Sequence, residues 1–399
     1  MTRHVVTLNA GSSSVKFSFY EADGTLHALA VGQVEMRGDN RHIVVRDATG
    51  AVMHEVGWPA DPEKGFHQDA LQRVLAWRKA TFPDAHVVAA GHRVGHGGVR
   101  YEAPVLVTDA VLAELEKLVP LAPLHQPHNI AGILAAREAW PHVQQVACFD
   151  TAFHRAHPFV NDVFALPRRY YEQGVRRYGF HGLSYEYITG RLRELEPLYA
   201  QGRVVVAHLG NGASMCAIRD GLSVASSMGF TPLDGLPMGT RCGQVDPGVL
   251  LFMMAQEQMG ADAIRDLLYK DSGLKGLSGI SHDMRELEAS HLPEAAEAIE
   301  YFVFRIRREL GGLAAVLKGL DAMVFCGGIG EHAWRVRERV LEGMEWIGIE
   351  LDRTANRENA SIISTQRSRV RVMIIPTDEE AMIVRHTLRV LDREAGAAA

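Results

Sequence analysis

The stretch that most constrains the fold is VVVAHLGNGASMCAI, residues 204–218. Its β-branched start, Val204–Val206, is typical of a buried strand that ends near His208. Gly210-Asn211-Gly212 predicts a tight turn in which positive φ angles are available, and Ser214–Ile218 predicts the returning strand. The stretch therefore predicts a hairpin whose tip carries only small side chains.

A second stretch, near the start of the chain, repeats this order of features. Val5–Leu8 and Val15–Phe19 predict strands, the residues between them (9–14) are small and mostly polar, and an Asp-Gly pair follows in both copies. Two copies about 200 residues apart predict two domains of one topology. Backbone N–H groups and hydroxyls at such hairpin tips suit polyphosphate, so each domain offers a candidate phosphate site.

Further motifs are spread along nearly the whole chain: LNAGSSSVKF at 8–17, GHRVGHGG at 91–98, FDTAFH at 149–154, YGFHGLSY at 178–185, AHLGNGAS at 207–214, TPLDGLPMGTRCGQVDP at 231–247 and GGIGEH at 327–332. Together these motifs resemble the acetate kinase family, within the larger group of sugar kinases, Hsp70 and actin. The resemblance implies a duplicated ribonuclease-H-like α/β fold of two domains with an interdomain cleft. Residues 1–150 plus 382–399 would form the N-terminal domain and 151–381 the C-terminal domain, through which a homodimer is joined.

The activity implied by the resemblance is Mg²⁺-dependent transfer from ATP to acetate, giving ADP and acetyl phosphate reversibly, with Mn²⁺ as an alternative metal. The acceptor carboxylate is already ionised at neutral pH, so catalysis reduces to alignment and charge neutralisation. A sugar kinase is an alternative, but its hydroxyl acceptor needs a base and leaves an arginine among glycines unexplained. A non-enzymatic ATP-binding module of the Hsp70/actin type is the remaining alternative.

Arg93 follows the predicted strand Val87–Ala90 and lies among glycines, which is a usual place for a ligand loop in an α/β sheet. A guanidinium can grip a carboxylate bidentately, and this is the role that the resemblance implies. The alternative is an ordinary surface arginine. Leu124, Phe180 and Pro232 are the other residues expected to bind the acyl substrate.

Gly95 stands where the family has a valine, so the acyl pocket is expected to be larger and to favour propionate or butyrate relative to a valine-bearing enzyme. The alternative is that a neighbour such as Met238 fills the space. Further departures from the family motifs are Gln126, Leu183, Tyr185, Cys242, Gln244 and His332.

Four side chains are the catalytic candidates: Asp150, His181, Arg241 and His125. The resemblance gives Asp150 an acid/base role, but an ionised acceptor needs no base. Asp150 alternatively orients Mg²⁺ through water, fixes an arginine (93 or 241) or caps a helix. His181 and Arg241 are expected to stabilise charge on the moving phosphoryl group. The alternatives are a structural ion pair for Arg241 and a hydrogen bond to backbone for His125.

The nucleotide is expected at both hairpins and at two later segments. The residues are Lys16, Ser12, Ser14, His208, Leu209, Gly210, Asn211, Gly212, Asp283, Met284, Arg285, Gly328, Ile329, Gly330, Glu331 and His332. Segment 327–332 is predicted to be a glycine-rich turn between strand 322–326 and a helix, which is a ready anion site. Asn9 and Glu379 are assigned to the metal.

Several elements are predicted from pattern alone. The loop 229–248 has no period and is long enough to be functional. Helix 293–318 carries an apolar stripe that predicts core, strands are expected at 362–363 and 370–375, and Thr377 with Glu380 predicts a capping box for a last helix over 379–391. The tail, 394–399, is expected to fray.

Composition excludes some classes of partner. The net charge is −6 without a Lys/Arg run, so nucleic acid is not expected, and the absence of an 18-residue apolar run predicts no membrane span. The first residues lead directly into a strand, so a signal peptide is not expected. Four scattered cysteines without CxxC spacing predict reduced thiols and a cytoplasmic protein.

Overall fold

The computed structural model describes residues 2–61, 63–123 and 125–397. The chain divides into two compact units, unit 1 (Met1–Ala152 with Asp378–Ala399) and unit 2 (Phe153–Thr377). The returning segment thus starts at Asp378 rather than at 382, which places Glu379 in unit 1.

Unit 1 begins with an antiparallel meander and continues with alternating strands and helices. Its elements are β1 (Thr2–Ala10), β2 (Ser14–Glu21), β3 (Ala28–Arg37), β4 (Asn40–Arg46), β5 (Val52–Pro59), α1 (Phe66–Thr81), β6 (Ala85–Val94), β7 (Val105–Leu106), α2 (Asp109–Lys117), α3 (Gln126–Ala139) and β8 (Gln144–Phe149).

Unit 2 has a smaller sheet and more helices. Its elements are α4 (Phe159–Asp162), α5 (Arg168–Glu172), α6 (Gly182–Leu195), α7 (Pro197–Ala200), β9 (Arg203–Leu209), β10 (Ala213–Arg219), β11 (Leu222–Ser226), α8 (Pro247–Gln256), α9 (Ala261–Lys270), α10 (Gly273–Ser278), α11 (Met284–Ala289), α12 (Pro293–Leu317), β12 (Ala322–Cys326), α13 (Gly327–His332), α14 (Trp334–Leu341), α15 (Arg353–Arg357) and β13 (Arg371–Ile374). The last helix, α16 (Glu379–Ala397), belongs to unit 1.

The two sheets contain the same five-strand pattern. The order is β5-β4-β3-β2-β1-β6-β8-β7 in unit 1 and β11-β10-β9-β12-β13 in unit 2. In each, three antiparallel strands are followed by two parallel ones, so that β3-β2-β1-β6-β8 corresponds to β11-β10-β9-β12-β13. This topology confirms the predicted duplicated α/β fold of ribonuclease-H-like type.

Aromatic packing and the last helix form the core of unit 1. Trp77 of α1 lies 6.2 Å from Phe17 and 5.9 Å from Phe19, measured between ring centroids. On the other face of the sheet, Val384 of α16 packs in a buried cluster with Val5. Gly91 of β6 lies so close to α16 that a Cβ there would overlap Ile383 and Thr387. α16 is helical through Ala397, which contradicts the predicted fraying over residues 394–397, while 398 and 399 lie outside the described residues.

The apolar stripe of α12 forms core in unit 2, as predicted from its helical period. Phe302, Ile306 and Leu310 are completely buried. The hairpin β9–β10 forms as predicted, although none of Gly210, Asn211 and Gly212 uses the positive φ that is available to glycine. The left-handed residues lie one turn later, at Asp220 (φ 54°) and Gly221 (φ 75°) between β10 and β11.

Other local predictions are corrected by the strand pairing and the caps. β6 does not end at Ala90, because its ladder with β8 continues through Arg93. Residues 362–363 form only a single bridge to Met373, and the glycines of 327–332 are themselves the helix α13. Asp378, rather than Thr377, caps α16 by accepting a hydrogen bond from the Ala381 amide (2.8 Å).

Two further observations concern the described part of the chain. None of the helices described there combines the length and apolar character needed to cross a bilayer. The four cysteines, Cys148, Cys216, Cys242 and Cys326, are not in disulfides.

Candidate active site

Arg93 is held by two carboxylates at one edge of the unit 1 sheet. β6 and β8 are parallel, so Arg93 near the end of β6 lies beside Asp150, which directly follows β8. Nε of Arg93 is 3.0 Å from Asp150 Oδ1, and Nη2 is 2.8 Å from Oδ2. Nη1 is 3.1 Å from Glu379 Oε2. Burial opposes the charge, but the carboxylates of Asp150 and Glu379 outweigh it and raise the pKa of Arg93 above its usual value.

Arg93 is therefore not the free surface arginine of the alternative interpretation. Among the described residues, hydrogen bonds to Asp150 occupy the Nε–H and one N–H of Nη2, out of five N–H groups, while Nη1 forms an ion pair with Glu379. At least one N–H on each terminal nitrogen is therefore left without a hydrogen bond to a described residue. This pair is the arrangement that binds a carboxylate end-on.

The expected metal residues, Asn9 and Glu379, do not form a preformed metal cluster. Within the described residues no group of three or more His, Cys, Asp or Glu side chains is arranged to hold a metal ion. Glu379 contacts Arg93, and Asn9 pairs with Lys16 across the β1–β2 hairpin. One carboxylate and one amide fit a magnesium ion that takes its other ligands from nucleotide phosphates and water. Burial, followed by the charge of Glu379, raises the pKa of the neighbouring Glu380 carboxyl.

The first hairpin presents the expected small residues. The Gly11 amide donates to the Ser14 carbonyl (2.8 Å), which closes the turn. Ser12 and the Lys16 side chain are exposed there, and Ser14 is half-buried.

Asn129 is a residue that the sequence analysis missed. Its Nδ2 donates to the Ala10 carbonyl (3.0 Å), and its Oδ1 accepts from the Gly95 amide (2.9 Å). It therefore connects the first hairpin with the end of β6. No local pattern marks it, because its partners are distant in the chain.

Of the residues expected to bind the acyl group, Gly95 lies near the start of α3, and Leu124 lies outside the described residues. His125 is at the N-cap of α3, and its carbonyl accepts from Asn129. The Gln126 side chain is completely buried and donates to the His96 carbonyl (3.1 Å). A Cβ added at Gly95 would lie 3.5 Å from the His125 Cβ and 3.6 Å from Asn129 Oδ1, which are ordinary contact distances.

In unit 2, His181 is fixed in an unusual backbone conformation just before α6. Its φ of 56° is left-handed, and its Nδ1 lies 2.8 Å from Ser214 Oγ on β10. Its ring stacks on His208 with a centroid distance of 4.4 Å and an interplanar angle of 27°. The preceding Phe180 is buried, and its carbonyl accepts from His154 Nε2 (2.9 Å).

The tip of the second hairpin lies between His181 and Arg241. A Cβ at Gly212 would be 3.2 Å from His181 Nε2 and 3.9 Å from Arg241 Nη1. Arg241 lies in the irregular segment between β11 and α8, where its Nη1 donates to the Pro232 carbonyl (3.1 Å). Glycine is therefore needed at 212 for close approach rather than for its φ angle.

A cavity of about 660 Å³ in unit 2 is lined by half of the residues expected to bind the nucleotide. The eight are Gly210, Asn211, Asp283, Met284, Arg285, Gly328, Ile329 and His332, with His282, Glu288 and Ala333 completing the lining. The volume lies in the range of small-molecule sites. Asp283 caps α11, and its hydrogen bonds from Arg285 lower its pKa to about 2.

The other expected nucleotide residues of unit 2 do not line this cavity. Leu209 is buried, and Gly330 lies within α13. The Glu331 carboxylate turns back to accept from the Gly327 amide (2.8 Å) and the Thr377 amide (3.2 Å). His208 and Gly212 lie instead beside His181.

Arg337, also missed, supports the α13 wall of the cavity. It is completely buried, and its Nη1 donates to the Gly330 carbonyl (2.8 Å) while its Nε donates to Asn356 Oδ1 (2.8 Å). Burial lowers its pKa to about 10. A single arginine in an ordinary helical pattern gave no sequence signal of this role.

Comparisons with known proteins agree along the whole chain. Residues 4–385 match the model of the acetokinase family. The chain is 70% identical to an acetate kinase of Methylocella silvestris, with all of both chains covered, and 52% identical to one of Rhodopseudomonas palustris over 98% of this chain and 99% of that one.

Solved structures are similar as well. An acetate kinase of Porphyromonas gingivalis superposes with a TM-score of 0.88 at 38% identity, covering 98% of this chain and 100% of the other. A propionate kinase of Francisella tularensis gives a TM-score of 0.90 at 33% identity, covering 97% and 100%.

Proposed function

This chain belongs to the acetokinase family, and we propose that it transfers the γ-phosphoryl group of ATP to acetate, reversibly, giving ADP and acetyl phosphate. The observation that carries the proposal is the Arg93 guanidinium, oriented by two carboxylates and still offering one N–H on each terminal nitrogen. That arrangement suits a small carboxylate substrate. A substrate with a hydroxyl acceptor would present no carboxylate for this guanidinium to bind.

In this proposal, Arg93 holds the carboxylate of acetate while Asp150 and Glu379 hold Arg93. Asp150 is a positioning residue, because an ionised acceptor has no proton to remove. Glu379 also remains the candidate contact of unit 1 for Mg²⁺, directly or through water, together with Asn9. When bound, Mg²⁺ neutralises charge on the phosphate oxygens.

The residues beside the second hairpin are assigned to the moving phosphoryl group. His181 and Arg241 both lie near Gly212, so both can donate to oxygens placed against the hairpin tip. The 660 Å³ cavity is assigned to the nucleoside of ATP, because Gly210 and Asn211 of the hairpin tip belong to its lining. His125 keeps its proposed place beside the phosphoryl group.

The proposal is tested by incubating the protein with ATP, Mg²⁺ and acetate, and trapping acetyl phosphate as its hydroxamate. We expect hydroxamate that depends on all three components. An Arg93→Ala variant should lose most of the product at low acetate, whereas Arg100→Ala, which removes a mostly exposed arginine of the same unit, should not. If the wild-type protein forms no hydroxamate with acetate or with propionate, the proposed function is wrong.

Propionate is the second candidate substrate, and Gly95 is the observation that favours it. With no side chain at 95, the position that a Cβ would take in contact with His125 and Asn129 is left to a longer acyl chain. Met238, the neighbour named as the alternative filler of this space, is completely buried. Its sulfur lies 3.6 Å from Nη1 of Arg241, in the loop that contains both residues.

We further propose that the protein is a homodimer in which α8 of unit 2 packs against a second copy. α8 carries no charged residue and has no buried one, and Leu251 and Phe252 are 66% and 55% exposed. An apolar helix of this kind is typical of an interface. Sedimentation equilibrium should give a dimer that Leu251→Glu dissociates, whereas Leu198→Glu, at an exposed leucine of α7, leaves it intact. A wild-type monomer would contradict this assignment.

We also place the protein in the cytoplasm, where ATP is available and thiols are kept reduced. Four cysteines outside disulfides support this.

A further inference from the structure

Tyr185, one of the departures from the family motif, lies in a hydrogen-bonded chain that ends on His181. It is completely buried in the first turn of α6. Its hydroxyl oxygen is 2.5 Å from Ser214 Oγ, and Ser214 Oγ is 2.8 Å from His181 Nδ1. Ser214 is also completely buried. One serine hydroxyl therefore connects a tyrosine to the ring of a candidate catalytic histidine.

The number of protons available fixes the direction of the hydrogen bonds from Tyr185 through Ser214 to His181. Among the described residues, the only hydrogen-bond partner of the Tyr185 hydroxyl is Ser214. If Ser214 donated to Tyr185, the tyrosine proton would be buried without an acceptor, which is costly. Tyr185 therefore donates to Ser214. The single hydroxyl proton of Ser214 is then left for His181 Nδ1, which must be the unprotonated ring nitrogen.

Burial favours the same arrangement by keeping the tyrosine protonated. It raises the pKa of Tyr185 well above its usual value, so this hydroxyl stays a donor throughout the working pH range. His208, which stacks on His181, has a similar contact: its Nδ1 is 2.8 Å from Ser184 Oγ, which is 2.7 Å from Thr377 Oγ1. The stacked pair thus has a hydroxyl on each Nδ1.

We propose that Tyr185, acting through Ser214, is a positioning residue that keeps neutral His181 in the tautomer with its proton on Nε2. Nε2 is the ring nitrogen nearest to Gly212 at the hairpin tip. The tautomer makes His181 a hydrogen-bond donor toward that tip. Its value for catalysis rests on the proposed function, in which phosphoryl oxygens lie there, but the tautomer itself does not.

The direct test is ring ¹⁵N NMR of the full chain labelled at histidine, with the His181 signals assigned from a His181→Gln sample. We expect Nε2 of wild-type His181 to have the shift of a protonated nitrogen and Nδ1 that of an unprotonated one. Tyr185→Phe should convert this pattern into a mixture or into the other tautomer. Tyr178→Phe is the matched control: it removes another buried hydroxyl of unit 2, which donates to the Gly174 carbonyl (2.7 Å) and not to Ser214.

Kinetics supply the second measurement. Tyr185→Phe should lower kcat roughly tenfold while the KM values for ATP and acetate change less than about twofold, because only the donor is disturbed. Tyr178→Phe should leave kcat near that of the wild type.

A wild-type His181 with its proton on Nδ1 overturns the proposal, and so does an unchanged tautomer in a folded Tyr185→Phe. If Tyr185→Phe does not fold, the wild-type spectrum alone decides. If the wild-type protein forms no acyl phosphate, the proposed function fails, while the spectra still test the role of Tyr185.

Discussion

Arg93 and Asp150, 57 residues apart in the chain, face each other as two planar groups joined by two hydrogen bonds. Both Asp150 oxygens are engaged by the guanidinium, and the Asp150 amide donates to the Val94 carbonyl (3.0 Å). The carboxylate is therefore held in place from two sides. Its geometry is that of a group that orients an arginine.

Removing the charge of Asp150 should weaken acetate binding more than it slows the chemical step. In Asp150→Asn, the amide cannot accept both guanidinium hydrogen bonds, so Arg93 turns toward Glu379. We expect the KM for acetate to rise by roughly tenfold, and that of Arg93→Ala to rise further, with the KM for ATP little changed. Steady-state kinetics with each substrate varied will measure this. A large loss of kcat at an unchanged acetate KM would instead assign Asp150 to the chemical step.

Arg241→Ala should act mainly on kcat. In the proposed function this guanidinium meets charge that develops on the phosphoryl group, and deleting such a donor typically costs about 10² or more in rate. Arg265→Ala, which removes a solvent-exposed cation of the same unit, is the control. An Arg241→Ala enzyme with near-native kcat would remove Arg241 from this role.

Gly95→Val should change the preference for acyl length. A Cβ at 95 meets its neighbours at ordinary contact distances and φ is not left-handed, so the variant should fold. We expect kcat/KM for propionate to fall relative to acetate by a factor that corresponds to about 1–3 kcal/mol, with Gly95→Ala in between. If the ratio is unchanged in both variants, residue 95 does not line the acyl pocket.

Acid should destabilise the protein between about pH 6.5 and 4. Burial lowers the pKa of His92 and of His154 to about 4, whereas unfolded histidines titrate near 6.5. Below pH 6.5 the unfolded state binds more protons than the folded state. The contribution of these histidines to the free energy of unfolding is therefore fully present above pH 6.5. It falls as the pH falls, by up to about 1.4 kcal/mol per pH unit for each histidine. Urea midpoints measured from pH 7 to 4.5 will show the slope, and His92→Gln should reduce it. A midpoint constant across this window would contradict the assignment.

What the sequence predicted well depends on local periodicity. The valines of β9 are buried because a run of β-branched residues forms a strand that is covered on both faces, and the stripe of α12 is buried because the helical period places it on one face. Patterns of that kind can be recognised without tertiary information. The irregular segment around Arg241 was likewise identifiable, because it shows no period over nearly 20 residues.

The features that the sequence did not predict depend on tertiary contacts between residues in different elements. Asn129 bonds the Ala10 carbonyl 119 positions away, and Arg337 is buried on carbonyl and amide oxygens from another helix. The turn at Gly212 was predicted from its glycines, but the sequence did not reveal that Gly212 makes room for His181 and Arg241. Resemblance to a family could name Arg93 and Glu379 but could not show that they contact each other.

Unit 1 is assembled from the first 152 residues and the last 22. Glu379 and the face of α16 that covers Gly91 are therefore synthesised only after the whole of unit 2, and the strands of residues 1–152 lack this cover until then. A product that terminates at Thr377 would contain all of unit 2 but would leave one face of the unit 1 sheet uncovered. Proteases should thus cleave such a product at this sheet more readily than a chain that carries α16.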